Sequence, residues 1–268
     1  MSNRIKLSKQ ERHKHITEKL KDSPAIRVSE LALEIGVSTE TIRRDLDELE
    51  SLGLISRTYG GAAPALNKVP SFNQRASMNS ESYDLIAKAT CHFVQNGDVL
   101  SIGSSVTTLR VAVHLAAEKK DLTVFTDSYA IASALGENPT FKVHVCSGLY
   151  HDGECCVYGP ESVNYFANIY AQKAILGASG LTIDGVSNAD FEISETYKAM
   201  ARRASETIIV ADHSKIARDA VSTYLNWNQI NRLIIDEPPF DDELIIGLKR
   251  GNVSVTVASD SSWSFYEK

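Results

Sequence analysis

Between Ser38 and Gly53, apolar residues fall at Ile42, Leu46 and Leu49, at spacings of four and three, and Leu52 extends the row. That period puts them on one helical face. Ser38 is the expected N-cap, because its side-chain oxygen can accept a bond from a first-turn N–H. Gly53 is the expected C-cap, since glycine tolerates the left-handed conformation. Thr39, Thr41, Arg43 and Arg44 fall on the opposite faces. Upstream, "SKQERHKHITEKLKDSPAIRV" predicts a helix with Ile16 and Leu20 inward, stopped near Asp22-Ser23-Pro24. "VSELALEIGV" predicts a second, shorter helix capped by Ser29, packed through Leu31, Ala32 and Ile35, and ended by Gly36. A short helix, a glycine turn and a third helix make a helix-turn-helix. After Gly53, "LISRTYGGA" alternates as half of a small hairpin, a wing, with two glycines allowing a sharp exit.

From Tyr83 the pattern changes. "DVLSIG", "LTVFTDS", "KVHVCSG", "KAILGASG", "TIIVADHS", "RLIIDE" and "VSVTVAS" are short runs rich in Val, Ile and Leu, which predict buried strands. Helical stretches at 107–118, 129–136 and 194–204 lie between several of them. Alternating strand and helix predicts an α/β domain around a largely parallel sheet. The intervening "GGAAPALNKVPSFNQRASMNSE" has no sustained period and reads as a linker. The expected division is 1–62 for the winged helix-turn-helix, 63–81 for the linker, 82–258 for the α/β domain and 259–268 for a tail whose Trp263 and Phe265 have no assignable role.

Charge separates along the same line. Residues 1–75 hold 13 Lys/Arg against 10 Asp/Glu, and the remainder holds 15 against 24, for the overall −6. A small positive module on an acidic body suits a protein that meets polyanion at one end. There is no run of 18 apolar residues and no apolar segment near the N-terminus, so neither a membrane span nor a secretory signal is expected. The four cysteines, Cys91, Cys146, Cys155 and Cys156, lack zinc spacing and read as reduced thiols of a cytoplasmic protein. The seven histidines suggest no metal set, and no cofactor is expected.

The first module's chemistry is that of DNA recognition. The third helix would enter a major groove, where arginines pair bidentately with guanine and threonines touch phosphate or a thymine methyl. Two arginines on a helix also fit a plain solvated face, paired with Asp45, Asp47, Glu48 and Glu50. "SELALEIGVSTETIRRDLDELESLGLISRTYGGA" resembles the winged helix of the DeoR family of bacterial transcriptional repressors, with the doubled arginine, Asp45 and Gly60-Gly61 in register. The expected DNA-binding residues are Ser38, Thr39, Thr41, Arg43, Arg44, Arg57 and Tyr59, with Arg57 near the phosphate backbone. "SFNQR" resembles the family's F-x-x-R, which implies that Phe72 and Arg75 dock on the second domain.

Ligands of parallel α/β sheets bind beyond the carboxyl ends of the strands. Here those ends carry Gly103-Ser104-Ser105-Val106-Thr107-Thr108, Thr126-Asp127-Ser128, Ser147-Gly148, Ala178-Ser179-Gly180 and Asp212-His213-Ser214-Lys215. A glycine, hydroxyls and a helix start make a phosphate cradle, although Ser and Thr also serve as plain caps there. Lys215 would meet phosphate or pair with Asp212. Glu195 and Lys198, three apart on a helix, read first as a surface ion pair. His151 and Asp152 read as loop residues.

The DeoR resemblance extends over this domain to about Val257 and implies a ribose-5-phosphate-isomerase-like fold that senses a sugar phosphate. The implied effector-binding residues are Gly103, Ser104, Ser105, Thr107, Thr108, Asp127, Ser128, Gly148, Gly180 and Lys215. The chain departs from the family pattern at the first loop, where Gly103 replaces an acid and Ser105 a glycine. Asp127 replaces an asparagine and Ser147 a glycine.

These readings predict a DNA-binding regulator, a repressor of a carbohydrate catabolic operon. Its expected partners are double-stranded operator DNA, a sugar phosphate and copies of itself, as a dimer or tetramer. An isomerase with an attached winged helix would need a carboxylate base with a dedicated partner, and no catalytic residue is expected. A protein-docking module would show no salt-sensitive DNA affinity.

Overall fold

In the computed structural model the residues described are 9–21, 25–51, 55–58, 60–64, 72, 75, 80–259 and 264–265. The chain divides into two units, Met1–Gln74 and Arg75–Lys268.

The first unit begins with helix α1 (Lys9–Lys21), strand β1 (Ile26–Arg27), helix α2 (Val28–Ile35) and helix α3 (Thr39–Ser51). Strands β2 (Ile55–Thr58) and β3 (Gly61–Pro64) follow. Ile16, Leu20, Leu31, Ile35, Ile42, Leu46 and Leu49 meet in one core with Ile26, Ile55 and Ala62. Full burial of one such side chain is worth ~1.5–3 kcal/mol. The predicted helix faces and the Gly36 stop are observed, the latter at φ 77°. Ser38 caps α3, accepting the Thr41 N–H at 3.1 Å. Leu52 and Gly53 lie outside the described residues.

Two local expectations are corrected. Ser29 does not cap α2. The cap is Arg27, whose N–H is reached by the Glu30 carboxylate three residues on, at 3.4 Å. Arg27 is drawn there because β1 pairs with β3. The second correction concerns the glycines. They are not the exit of the wing but its turn, since β3 starts at Gly61 and lies between β1 and β2. Gly60 has φ 82°, and a Cβ on Gly61 would stand 2.1 Å from the Ile26 carbonyl oxygen. Only glycine allows β1 to approach that closely.

The second unit is an α/β domain. Helix α4 (Ser80–His92) leads to β4 (Val99–Ile102), α5 (Val106–Glu118), β5 (Thr123–Thr126), α6 (Tyr129–Gly136) and β6 (Lys142–Val145). A hairpin, β7 (Leu149–His151) and β8 (Cys156–Tyr158), precedes α7 (Pro160–Ala167) and β9 (Ala171–Gly177). Then come β10 (Gly180–Thr182), β11 (Gly185–Asn188), α8 (Phe191–Arg202), β12 (Ala204–Ala211) and β13 (Ser222–Leu225). β14 (Arg232–Ile235), α9 (Asp242–Arg250), β15 (Ser254–Val257) and β16 (Ser264–Phe265) complete it.

The main sheet runs β16-β15-β14-β12-β9-β4-β5-β6. All its pairings are parallel except β15 with β16. The seven predicted strands are its seven parallel members. Alternate residues serve opposite faces. Ile175, Ile208, Val210 and Ile234 join one core with Ile86, Val111, Leu115 and Ile131, whereas Leu176, Ile209, Leu233 and Ile235 join the other with Phe166, Ile193, Met200 and Leu244. That two-sided burial is why the strands read as continuous apolar runs. The sequence pattern did not reveal the second sheet, β10-β11-β13, or the β7-β8 hairpin. His151 and Asp152, expected in a loop, end β7 and open a 3₁₀ turn.

Candidate functional site

The first candidate surface is the N-terminal half of α3. Thr39, Arg43 and Arg44 are exposed, with 57% and 79% exposure for the two arginine side chains. Their carboxylate partner is Glu40, at 3.9 and 3.4 Å. The remaining acids of α3 are engaged elsewhere. Asp45, almost fully buried, receives Arg12 through two bonds of 2.7 and 2.9 Å. Glu48 pairs with Lys9 of α1. Asp47 receives Arg57 at 2.5 Å, and Glu50 accepts the Arg57 N–H at 3.0 Å. α3 therefore sorts its charges: all its carboxylates but Glu40 serve α1 and the wing, and the arginines face water beside Glu40.

Burial alone would raise the Asp45 carboxyl, but the Arg12 hydrogen bonds and charge outweigh it and hold the group below its ordinary value. The same sorting constrains two expected site residues. Arg57 is held by α3, its guanidinium on Asp47 and on the Arg43 carbonyl at 3.3 Å. The Thr41 hydroxyl is engaged with Ser38 Oγ at 2.9 Å. Tyr59 lies outside the described residues.

The second candidate is the crevice at the carboxyl edge of the main sheet. After β4 the chain proceeds outward through β5 to β6, then returns to place β9 on the other side of β4. The switch point is thus between β4 and β9. Gly103 N–H bonds the Ile175 carbonyl there, at 3.0 Å. Ser105 caps α5, accepting the Thr108 N–H at 3.0 Å, and the Thr108 hydroxyl donates to the Gly103 carbonyl at 2.6 Å. A Cβ on Gly177 would lie 2.5 Å from Ser105 Oγ, so the serine at 105 fits because position 177 carries no side chain.

Gly103 has its own counterpart. A Cβ there would stand 2.6 Å from the Tyr197 ring. Tyr197, fully buried on α8, bonds the Ser104 carbonyl through its hydroxyl and lies edge-on to Tyr224. Tyr224 donates to the Gly177 carbonyl at 2.5 Å. Two tyrosines thus wall the switch point, and Tyr197 fills the room that a side chain at 103 would use.

Beside them, Ser104 Oγ donates to Asp127 Oδ2 at 3.1 Å, while Asp127 Oδ1 has no hydrogen-bond partner and no exposure. Burial pushes the Asp127 carboxyl up to about 7, against the Ser104 hydroxyl and the backbone N–H groups of Asp127 and Ser104. Ser128 is also buried and caps α6. Thr107 and Thr108 are buried as well, and Ser105 is half-buried.

At the end of β12, Asp212 Oδ1 caps a 3₁₀ turn at Ser214 N, 3.0 Å away. Its other oxygen is buried with no hydrogen bond and lies 3.8 Å from Lys215 Nζ. Burial lowers Lys215, the Asp212 charge raises it, and Arg218 and Arg75 repel it. His213 accompanies them. Its Nδ1 is 2.7 Å from Asp236 Oδ2 and 3.5 Å from Glu237, a trio with metal-ligand chemistry. Asp236 also accepts the His213 N–H, so it works as the staple of this turn.

Gly180 and Gly148 serve backbone approach. Their Cβ atoms would lie 2.0 Å from the Arg218 carbonyl oxygen and 2.4 Å from the Tyr158 carbonyl oxygen. Glu195 and Lys198 form the expected ion pair, at 2.6 Å.

Three residues of this edge were not among those picked from the sequence as its ligand contacts: Tyr197, Glu154 and, as part of the crevice, Arg75. Arg75 donates to both Glu154 oxygens, at 2.9 and 2.5 Å, and its side chain is 14% exposed. Burial would lower its guanidinium, but Glu154 leaves it raised. The R of the F-x-x-R motif was its one signal. Phe72 is buried.

Comparison with known proteins places both units. Residues 12–66 match the DeoR-like helix-turn-helix domain and residues 78–237 the DeoR C terminal sensor domain. The HTH-type transcriptional repressor CsqR of Escherichia coli is 30% identical, over 85% of this chain and 88% of its own. The HTH-type transcriptional repressor GlcR of Bacillus subtilis is 29% identical, over 86% and 89%. The glycerol-3-phosphate regulon repressor of Escherichia coli is 28% identical, over 85% and 91%. Among solved structures, ribose 5-phosphate isomerase A of Methanocaldococcus jannaschii superposes with a TM-score of 0.42 at 12% identity, over 71% of this chain and 100% of that one.

Proposed function

The chain belongs to the DeoR family of transcriptional regulators, and from that premise we propose that it represses a carbohydrate catabolic operon and is released by a phosphorylated sugar. The observation that carries the DNA-binding half is the charge sorting of α3. Arg43 and Arg44 stay in water while Asp45, Asp47, Glu48 and Glu50 serve α1 and the wing. Exposed arginines whose carboxylate partner, Glu40, is itself at the surface suit the bidentate reading of guanine. Ser38, Thr39 and Thr41 at the same helix end would contact phosphate or base edges, and Tyr59 with the wing would lie against the backbone.

The effector half rests on the crevice. We assign the sugar phosphate to the loop 103–108, to Asp127 and Ser128, to Gly148 and Gly180 at its rim, and to Lys215. The phosphate would use Lys215 and the N-terminus of α5, and a sugar hydroxyl would reach the Ser104–Asp127 pair once the buried wall opens. No turnover is assigned: Asp127 is fully buried, out of reach of a substrate C–H, and the relatives are named as repressors. Relatives named for glycerol-3-phosphate, aga and lactose systems support carbohydrate control. A cytoplasmic homo-oligomer on repeated half-sites completes the reading. Among the described residues no helix is long and apolar enough to cross a membrane.

The test is fluorescence anisotropy on DNA from upstream of the chain's own gene and its neighbours. Salt is scanned first, then sugar phosphates are added beside the corresponding free sugars. Salt-sensitive binding released by one phosphorylated sugar is expected. Thr107→Val and Lys215→Ala should keep DNA affinity and lose that release. Operator affinity lost in both variants, with effector affinity kept, would contradict this division of labour.

A further inference from the structure

Arg75 is the first residue of the sensor unit and follows directly on the chain from the DNA-binding unit. It is held by Glu154 through two charge-assisted bonds, one guanidinium nitrogen to each carboxylate oxygen. Glu154 sits in the 3₁₀ turn between β7 and β8, ahead of Cys155 at φ 51°. Arg75 also reaches groups of the crevice. It lies close enough to Lys215 to repel it, and close enough to Tyr83 and Tyr197 to interact with both. Lys215 is three-quarters or more buried, with Asp212 Oδ2 as its carboxylate, too far for a hydrogen bond. The charges of Arg75 and Arg218 thus both reach Lys215, and Arg75 is held by a bidentate carboxylate, Glu154.

We propose that Arg75 is the link between effector and linker: an anionic phosphate arriving at Lys215 competes with Glu154 for the Arg75 guanidinium and frees the β7–β8 turn. This rests on the sugar-phosphate reading above and names the residue by which occupancy leaves the site. A guanidinium fork fits phosphate as well as carboxylate. A dianion beside Lys215 removes the repulsion between the two cations and offers Arg75 a second acceptor. The exchange shifts a conformational balance because the phosphate binds the released state better than the latched one. The covalent chain carries the displacement from Arg75 toward the DNA-binding unit.

The experiment uses the full chain and inorganic phosphate, with calorimetry for affinity and amide exchange over residues 149–158 for the turn. Glu154→Gln removes the competing charge and keeps the shape. It should bind phosphate about tenfold more tightly, the size of one charge-assisted bond. Its turn should exchange fast without phosphate. The wild-type turn should exchange slowly and speed up on addition. Arg75→Gln should lose the phosphate-driven change in exchange while Lys215→Met loses phosphate binding itself. Phosphate that binds through Lys215 but with the same affinity in Glu154→Gln, or that leaves the wild-type turn unchanged, overturns the relay and leaves the anion site standing. Phosphate binding indifferent to Lys215→Met overturns the site reading and the relay with it.

Discussion

Asp127→Asn tests the energetics of the switch point directly. The carboxyl has no exposure, one oxygen takes the Ser104 hydroxyl and the other, Oδ1, has no side-chain partner. Its folded value of about 7 stands against 3.8 for the ordinary group. Each unit of difference is about 1.4 kcal/mol, so the full separation is about 4 kcal/mol. The sign follows from proton counts. Between about pH 4 and about pH 7 the native state keeps a proton that the unfolded chain has lost, so stability falls as pH rises through that window and then levels off. Asparagine is close in shape and never ionises. The stability of Asp127→Asn relative to wild type should therefore grow from near its intrinsic offset at pH 4 by up to about 4 kcal/mol at pH 8.

The assay is urea unfolding of both proteins at each pH, followed by tryptophan fluorescence. Trp227, buried in the sensor unit, is the reporter. A constant offset between the two proteins from pH 4 to pH 8 would refute the reasoning, because the group would then titrate alike in both states.

Three other outcomes are expected. Arg43→Ala and Arg44→Ala should each weaken operator binding by ~1–3 kcal/mol, as loss of a good base contact does, read by anisotropy at fixed salt; wild-type affinity in both would remove α3 as the recognition element. Asp45→Asn should destabilise the N-terminal unit by ~3–5 kcal/mol, since Arg12 loses its buried carboxylate. The Asp45 carboxyl is depressed in the fold, so its contribution is present above its unfolded value near pH 4 and is lost as pH falls through the folded value; Asp45→Asn should lack that acid-side loss in circular dichroism melts. Gly103→Ala should cost ~1–3 kcal/mol by overpacking against Tyr197, and Tyr197→Ala should recover part of it in a double-mutant cycle; additive effects would deny the contact.

What was legible in the sequence was local. The faces of α1, α2 and α3 follow from apolar spacing, and the seven parallel strands from short β-branched runs between turn residues. Ser38 and Gly36 are caps whose partners lie within four positions. The features that give the candidate sites their character join distant positions. Arg12 and Asp45 are 33 apart, Arg75 and Glu154 79, and Ser104 and Tyr197 93. No period encodes such pairs. β1 was hidden for a related reason: two residues cannot show alternation, and Ile26–Arg27 forms a strand only because β3 lies beside it.

The departures of the first loop become intelligible together. Taken singly, Gly103, Ser105 and Asp127 read as three losses from a phosphate-binding pattern. In the fold the three positions meet around one point. Gly103 carries no side chain where the Tyr197 ring needs the space, and Gly177 none where Ser105 needs it. Tyr197 and Ser104 in turn surround Asp127. Burial there disfavours a carboxylate, which a neutral acid escapes by keeping its proton. A rim with glycine at 103 and a half-protonated acid at 127 presents less negative charge to an incoming phosphate than two ionised carboxylates would. The substitutions are thus compatible with an anion at Lys215. On the effector reading proposed above, discrimination would fall to the tyrosine wall and the Ser104–Asp127 pair, where the remainder of the ligand would have to fit.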